Sequence, residues 1–215
     1  MTLHTTIDEA KPHSTTLQKV SRLDVVERVL LFIALGWFVA RLSLSLTSEP
    51  ANIIIMISES IPVLMLLIRK QGAIATSVYA WTVAIIGSFT PLMLTISGAA
   101  FVSPTIGGAL MFVGLMIAIA AKVCLNRSFG IVAANRGVKR EGPYRLVRHP
   151  MYLGYIVTHA GFLLVHFSLI NALICGITWI ALALRIQAEE NFLNQDRAYR
   201  DYSAAVRYQV IPGII

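Results

Sequence analysis

Six long apolar segments restrict the fold of this chain more than any other feature. Each is close to the length of about 20 residues that an α-helix needs to cross a hydrocarbon core about 30 Å thick. Backbone polar groups inside that core must pair within their own segment, so runs of this kind are expected to be helical. The six segments lie near 25–46, 51–68, 74–97, 105–125, 150–167 and 169–188.

The composition agrees with a membrane protein. Hydrophobic residues make up 56% of the chain and charged residues 13%, whereas a soluble domain carries roughly a quarter charged residues. The sequence therefore predicts an all-α, polytopic integral membrane bundle of about six transmembrane helices in a lipid bilayer. Residues 1–24 are expected to form a flexible cytoplasmic tail, because the stretch is long and partly acidic for a secretory signal.

Basic residues indicate an orientation for this bundle. Lys and Arg collect on the cytoplasmic side of short loops, and of the 18 basic residues only Arg41 falls nearer the opposite side. We therefore expect both termini to be cytoplasmic and the protein to lie in a membrane such as the bacterial inner membrane. The net charge of +7 suits anionic lipid, and nucleic acid is not expected as a partner because the basic residues follow helix ends.

The loop at 126–149 is longer than the usual links of about two to eight residues between packed helices. Gly130, Gly137 and the Gly142–Pro143 pair punctuate it, and successive turns can direct several backbone N–H groups at one anion. Pro150 is suited to the first turn of a helix. Arg148 and His149 therefore lie beside a helix N-terminus, which favours a carboxylate or a phosphate. Contact with lipid head groups explains the same residues.

A polar stripe is predicted on the fifth segment. Helical spacing places Tyr152, Tyr155, His159 and His166 on one face. Polar side chains are costly against lipid, so this face is expected to contact protein or a wet cavity. Interhelical hydrogen bonding and a substrate path both explain the stripe.

The remaining polar features lie on other segments. Arg185 and Glu189 are spaced to pair at i,i+4, and Glu190 has no such partner in the sequence. The sixth segment is expected to continue as an amphipathic helix that includes Tyr199 and Tyr202.

Glu59 and Arg41 are expected to form a structural ion pair between the first two segments. Cys124 and Cys175 show no metal-ligand spacing, so no metal site is predicted.

Several stretches together resemble a known family, the isoprenylcysteine carboxyl methyltransferases and their bacterial relatives, which are similar to phospholipid N-methyltransferases. The resemblance runs from the fourth segment to the end. Its most specific feature is the order Gly-x-Tyr, Arg-His-Pro-x-Tyr, Glu-Glu. The stretches are "NRSFG" at 126–130, "GPYRLVRHPMYLGY" at 142–155, "RIQAEENFL" at 185–193 and "DYSAAVRYQVIP" at 201–212.

The resemblance implies S-adenosylmethionine as the methyl donor, enclosed between the last two spans, the preceding loop and the C-terminal segment. Residues 126–215 would then be the methyltransferase core, with a cytoplasmic cofactor pocket, and 25–125 the N-terminal helices. The implied cofactor-binding residues are Tyr144, His149, Pro150, Tyr152, Gly154, Glu189 and Glu190. The implied catalytic residues are Arg148, Arg185 and Glu190.

The acceptor implied by the resemblance is lipophilic or lipidated. It is a prenylcysteine-like carboxylate, an isoprenoid or a phospholipid amine, and a carboxylate is favoured over an amine. Methyl transfer from a sulfonium is an in-line displacement that mainly needs alignment and exclusion of water.

Two other functions fit parts of the same sequence. Some intramembrane sterol and enone reductases resemble this C-terminal architecture, and the basic loop at 136–148 is suited to the 2′-phosphate of NADPH. A small transporter without enzymatic activity is the third reading, which predicts polar residues throughout the membrane and an internal repeat.

Overall fold

The structure is a computed structural model, and it describes residues 29–40, 43, 52–68, 73–75 and 77–214. The described part is almost entirely α-helical, as predicted, while the tail at 1–24 lies outside it. Its helices are α1 (Val29–Ala40), α2 (Ile53–Met65), α3 (Val78–Phe89), α4 (Pro104–Leu125), α5 (Pro150–Val165), α6 (Leu169–Leu193) and α7 (Arg197–Ala205).

Among the described residues, two helical segments are long and apolar enough to cross a bilayer, Pro104–Ser128 and Leu169–Leu193. Each has 25 residues, and only 39% of its most apolar stretch is buried inside the molecule. Large apolar side chains such as Val123 and Ile180 therefore remain exposed, which suits contact with lipid. The other apolar helices, α1, α2, α3 and α5, are shorter within the described residues. The six-span topology remains a prediction.

Small residues let α4 and α5 approach closely. A Cβ atom built on Gly154 would lie 2.6 Å from the backbone nitrogen of Ala118 and 2.7 Å from the carbonyl oxygen of Gly114. Gly161 has the same relation to Gly107, whose carbonyl oxygen would lie 2.8 Å from an added Cβ. Close backbone approach through glycines is a common way to pack helices in membranes. The fifth helix is thereby fixed against the fourth along its length.

The loop between α4 and α5 is held by a short strand pair that the sequence did not predict. Strand β1 (Ala73–Ile74) pairs antiparallel with β2 (Ala134–Asn135). Gly137 and Gly142 adopt positive φ angles of 95° and 55°, which side chains disfavour. These turns return the chain to the start of α5.

The end of α6 differs from the expected continuous amphipathic helix. α6 ends at Leu193, and a new helix, α7, begins at Arg197. Asp196 caps α7 by accepting a hydrogen bond from the backbone N–H of Ala198. The cap supplies an acceptor for an otherwise unpaired N–H group, and this favours a new helix start over continuation of α6. α7 can therefore turn back towards the N-terminus of α5.

Candidate active site

A pocket opens where the N-terminus of α5 meets the C-terminal part of α6. It has about 800 Å³ of empty space, including its open mouth. The loop at 128–139 forms one wall and α7 forms another. The polar side chains that line it include Asn135, Tyr144, Arg148, His149, Tyr152, Glu189, Tyr199 and Tyr202.

Glu189 is the acid that faces this pocket. Its Oε1 accepts hydrogen bonds from the Tyr152 hydroxyl and from Nε of Arg185, which is 3.2 Å away. Its Oε2 lies 3.7 Å from Nδ1 of His149, beyond a good hydrogen bond. One carboxylate oxygen is therefore fixed by the protein, while the other has acceptor capacity left for a ligand.

Glu190 lies behind the pocket wall and joins three elements. Its Oε1 is 2.9 Å from Nε of Arg148, 2.8 Å from Nε2 of His149 and 2.8 Å from the Tyr199 hydroxyl. Charge-assisted hydrogen bonds of this kind are the strong ones. Glu190 thus has partners that the sequence did not reveal, because they come from α7 and from the residues before α5.

The C-terminal segment closes over the same end of α5. Arg148 donates from its backbone N–H to Tyr208 (2.9 Å) and from Nη1 to the carbonyl oxygen of Val206 (2.9 Å). The backbone N–H of His149 donates to Gln209 over 2.7 Å. These bonds fix the orientation of the Arg148 and His149 side chains before any ligand is bound.

Two tyrosines of α7 complete the wall. The Tyr202 hydroxyl donates to the carbonyl oxygen of Tyr144 over 2.8 Å. Burial raises the pKa of Tyr202 to about 12. The pKa of Tyr199 is raised by burial and then by the charge of Glu190, and that of Tyr144 by burial and then by the charge of Glu189. All three hydroxyls therefore remain protonated donors at neutral pH.

The predicted site residues fall into two groups. Tyr144, Arg148, His149, Tyr152 and Glu189 all line the pocket. The other four lie outside its lining. Pro150 starts α5, and Gly154 packs against α4. Arg185 bonds to Glu189, and Glu190 bonds to Arg148 and His149 from behind the pocket wall. The direct roles assigned to these nine residues remain predictions.

Several pocket residues were missed by sequence reasoning. Asn135 donates from Nδ2 to Oδ2 of Asp196 over 2.7 Å, and this bond, followed by the backbone N–H of Ala198, lowers the pKa of Asp196. The bond connects the loop wall to the start of α7. Asp196 precedes a helix as a typical N-cap residue, a signal that was available in the sequence. Asn135 offered no such signal.

The predicted polar stripe on α5 is confirmed as a protein-facing surface. Tyr152, Tyr155, His159 and His166 are all at least nine-tenths buried. His159 and His166 pair with α2 and its N-cap, through Glu59 at 3.2 Å and Asn52 at 3.1 Å. The expected partner of Glu59, Arg41, lies outside the described residues.

Comparison with known proteins found two similarities, and one of them has bounds that include most of this pocket. Residues 102–201 match the family model described as phospholipid methyltransferase. A curated relative, protein-S-isoprenylcysteine O-methyltransferase A of Arabidopsis thaliana, is 32% identical over 108 residues. Residues 102–201 are thus similar to phospholipid methyltransferases, and the chain is also similar to an isoprenylcysteine methyltransferase. The alignment covers 46% of this chain and 55% of the relative, so the chain spans about half the length of that protein.

The region matched by the family model, 102–201, holds both glutamates, the loop wall and the first part of α7. The family-model match therefore includes the motifs around Arg148 and Glu189. α1, α2 and α3 precede the residues matched by the family model. Within the residues that the structure describes, no group of His, Cys, Asp and Glu side chains is arranged to hold a metal ion.

Proposed function

We propose that this protein transfers a methyl group from S-adenosylmethionine to a lipophilic acceptor in the membrane. The observation that carries the proposal is the convergence of Tyr152, His149 and Glu189 on one pocket at the start of α5. The match of residues 102–201 to phospholipid methyltransferases and the similarity of the chain to an isoprenylcysteine methyltransferase support the same conclusion.

The pocket offers a suitable partner for each polar part of the donor. S-adenosylmethionine carries a carboxylate, an ammonium, a sulfonium and a ribose diol. The free Oε2 of Glu189 suits a cationic group, because an anion beside a cation in a partly buried site is favourable. Arg148, His149 and the N-terminus of α5 suit the carboxylate. The loop wall at 132–138 and Tyr199 would hold the nucleoside.

Glu190 is proposed as a positioning residue. It does not line the pocket, but its Oε1 binds Arg148 and His149, which do. Arg185 acts in the same way on Glu189 and also donates to the carbonyl oxygen of Gly130 over 3.0 Å. These residues hold the binding groups in place, and such preorganisation lowers the cost of aligning the reactants.

The donor supplies an already electrophilic methyl carbon when it is bound. The chain therefore needs to bind, align and exclude water. Apolar residues of the pocket, Met151 and Phe129, are suited to keeping water away from the reacting end. Both residues also line a second cavity, which lies between the helices.

The acceptor is proposed to be a lipophilic carboxylic acid, such as a prenylcysteine, and the product a methyl ester. The printed name of the Arabidopsis relative, an isoprenylcysteine O-methyltransferase, supports oxygen as the methylated atom. Phospholipid amines are the second possibility, supported by the description of the matching family model.

A labelling experiment tests this function. Membranes containing the protein are incubated with S-adenosylmethionine that carries a labelled methyl group, and lipid, protein and base-labile methyl are then separated. We expect label that is released by base in the wild-type sample and is lost in Glu189→Gln. Glu141→Gln is the matched control, because Glu141 is an exposed acid outside the pocket. Absence of label from every wild-type fraction would contradict the proposal.

A further inference from the structure

A second cavity lies between the helices, beyond the cofactor pocket. It has about 490 Å³ of empty space including its opening. Residues of α1, α2, α3, α5 and α6 line it, so it involves the part of the chain that the family model does not match. Its polar lining includes Glu59 of α2, Tyr155 and His159 of α5, and Arg185 of α6.

Glu59 and His159 form a buried pair in this cavity. Their Oε1 and Nε2 atoms are 3.2 Å apart, and the side chains are 8% and 2% exposed. Nδ1 of His159 is buried without a hydrogen-bond partner among the described residues. When Nε2–H donates to Glu59, Nδ1 carries a lone pair. The pair then resembles other histidine–carboxylate couples in which the carboxylate orients the ring and stabilises its protonated form.

The two cavities share a wall. Phe129 and Met151 line both of them. The ring centres of Tyr152 and Tyr155 are 6.4 Å apart. The rings of Tyr155 and His159 are stacked, with their centres 6.5 Å apart. The Tyr155 ring therefore lies between His159 in the inner cavity and Tyr152 in the cofactor pocket.

Other charged or titratable groups near the pair come from α4 and α6. The Lys122 ammonium of α4 lies 4.7 Å from the centre of the Tyr155 ring. Arg185 of α6 lines the same cavity, but its Nε is bonded to Glu189. Cys175 of α6 is buried. No titratable residue of α3 lines this cavity, where Gly87 and Ser88 contribute.

We infer that the Glu59–His159 pair accepts the proton of a carboxylic acid that reaches the inner cavity uncharged from the bilayer. This inference rests on the proposed methyl transfer. An ionised carboxylate is costly to bring through hydrocarbon, and it would meet the negative charge of Glu59. An uncharged acid avoids both costs, but it is a poor nucleophile until it loses its proton.

The transfer then balances without another reactant. The O–H proton passes to Nδ1 of His159, and the resulting imidazolium is stabilised by the Glu59 carboxylate. The freed carboxylate oxygen forms a bond to the methyl carbon while the bond from that carbon to sulfur breaks. The electron pair of the broken bond stays on sulfur, which becomes neutral. His159 afterwards releases its proton to water.

The protonation step can be measured without the cofactor. The probe is an N-acetylated, S-prenylated cysteine labelled with 13C in its carboxyl group, whose chemical shift reports ionisation. We expect the probe bound to the wild-type protein at pH 7 to be ionised, and the probe bound to His159→Gln to be protonated. An identical ionisation state in both proteins, or the absence of saturable binding to the wild type, would overturn the inference.

Kinetics provide a second readout. His159→Gln is expected to lower methyl transfer by about 100-fold, the lower end of the usual contribution of a general base, while S-adenosylmethionine affinity stays within about twofold. Glu59→Gln removes the anion that stabilises the imidazolium, so the fall in rate at acidic pH should move to lower pH. An unmoved pH profile in Glu59→Gln would contradict the role of the pair.

A matched control separates this role from helix packing. His166 is another buried histidine, at the C-cap of α5, and it bonds to the N-cap residue of α2, Asn52, over 3.1 Å. His166→Gln should lower thermal stability about as much as His159→Gln, but leave methyl transfer and its pH profile unchanged. Equal losses of transfer in both variants would show a packing effect and overturn the inference. Labelled methyl ester from the wild type would still support the proposed function in that case.

Discussion

His149 and Glu190 are joined by a 2.8 Å contact between Nε2 and Oε1, across the gap between the start of α5 and the end of α6. The same carboxylate oxygen accepts from Arg148 and Tyr199. Glu190 therefore connects α6 to α7 and to the segment that precedes α5. A binding site between separate helices needs such a connection, because its groups otherwise move independently.

Glu190→Gln should weaken both the fold and the cofactor site. The substitution keeps the size of the side chain but removes the charge that binds Arg148 and His149. Breaking a buried ion pair costs about 3–5 kcal/mol, and we expect a loss near the lower limit because Gln still accepts one hydrogen bond. Thermal unfolding in detergent measures the stability, and calorimetry measures S-adenosylmethionine affinity, expected to fall by at least about tenfold. Asp201→Asn, an exposed acid of α7, should change neither.

Tyr152→Phe should reduce both stability and cofactor affinity. The ring and its 5.2 Å contact with the Arg185 guanidinium remain, but the hydrogen bond to Glu189 is lost. A hydrogen bond to a charged group contributes about 1.5–3 kcal/mol to stability, and the affinity is expected to fall as well because Glu189 loses one of the groups that orient it. Calorimetric titration checks this prediction. An unchanged dissociation constant would mean that the Glu189 orientation does not control binding.

Gly154→Ala should destabilise the α4–α5 pair. The added Cβ would meet the backbone of Ala118 and Gly114 at 2.6 Å and 2.7 Å, and overpacking typically costs about 1–3 kcal/mol. Gly176→Ala on α6 is the control, since an added Cβ there meets nothing within 4 Å and alanine favours a helix by about 1 kcal/mol. The midpoint temperature of thermal unfolding should therefore fall in Gly154→Ala and rise in Gly176→Ala. If Gly154 instead contacts the cofactor, Gly154→Ala would lose affinity without losing stability.

Alkaline pH should loosen α7 through Tyr202. The pKa of this hydroxyl is 10.0 in the unfolded reference and about 12 in the folded protein. The unfolded state therefore loses its proton first, and the stability contributed by Tyr202 is full below pH 10 and is lost as pH rises towards 12. Tyr202→Phe should be less stable at pH 8, because the bond to Tyr144 is missing, yet lose less stability between pH 10 and 12. The free energy of unfolding of both proteins, measured between pH 8 and pH 12, tests this prediction. If stability falls in parallel for the two proteins, Tyr202 is not the group responsible for the loss.

The sequence predicted the parts of the site that depend on spacing along one helix. Arg185 and Glu189 pair as their i,i+4 spacing indicated, and the stripe from Tyr152 to His166 is buried as helical periodicity required. The family-like motifs also brought together His149, Tyr152 and Glu189. Their order along the chain carried that information, because α5 and α6 are consecutive and antiparallel neighbours.

Contacts between distant helices could not be predicted in the same way. Glu59 was assigned to Arg41 because their segments are adjacent in sequence, but its described partner is His159, 100 residues away. Glu190 looked unpartnered because its donors come from α7 and from the residues just before α5. Strands β1 and β2 have two residues each, which is too short for an alternating pattern to be recognised.

Titration of the purified protein with S-adenosylmethionine and, separately, with NADPH tests the central claim most directly. The account predicts saturable binding of S-adenosylmethionine that is weakened in Tyr152→Phe and Glu190→Gln, and no saturable binding of NADPH. Binding of NADPH together with the absence of S-adenosylmethionine binding would contradict it and favour a reductase.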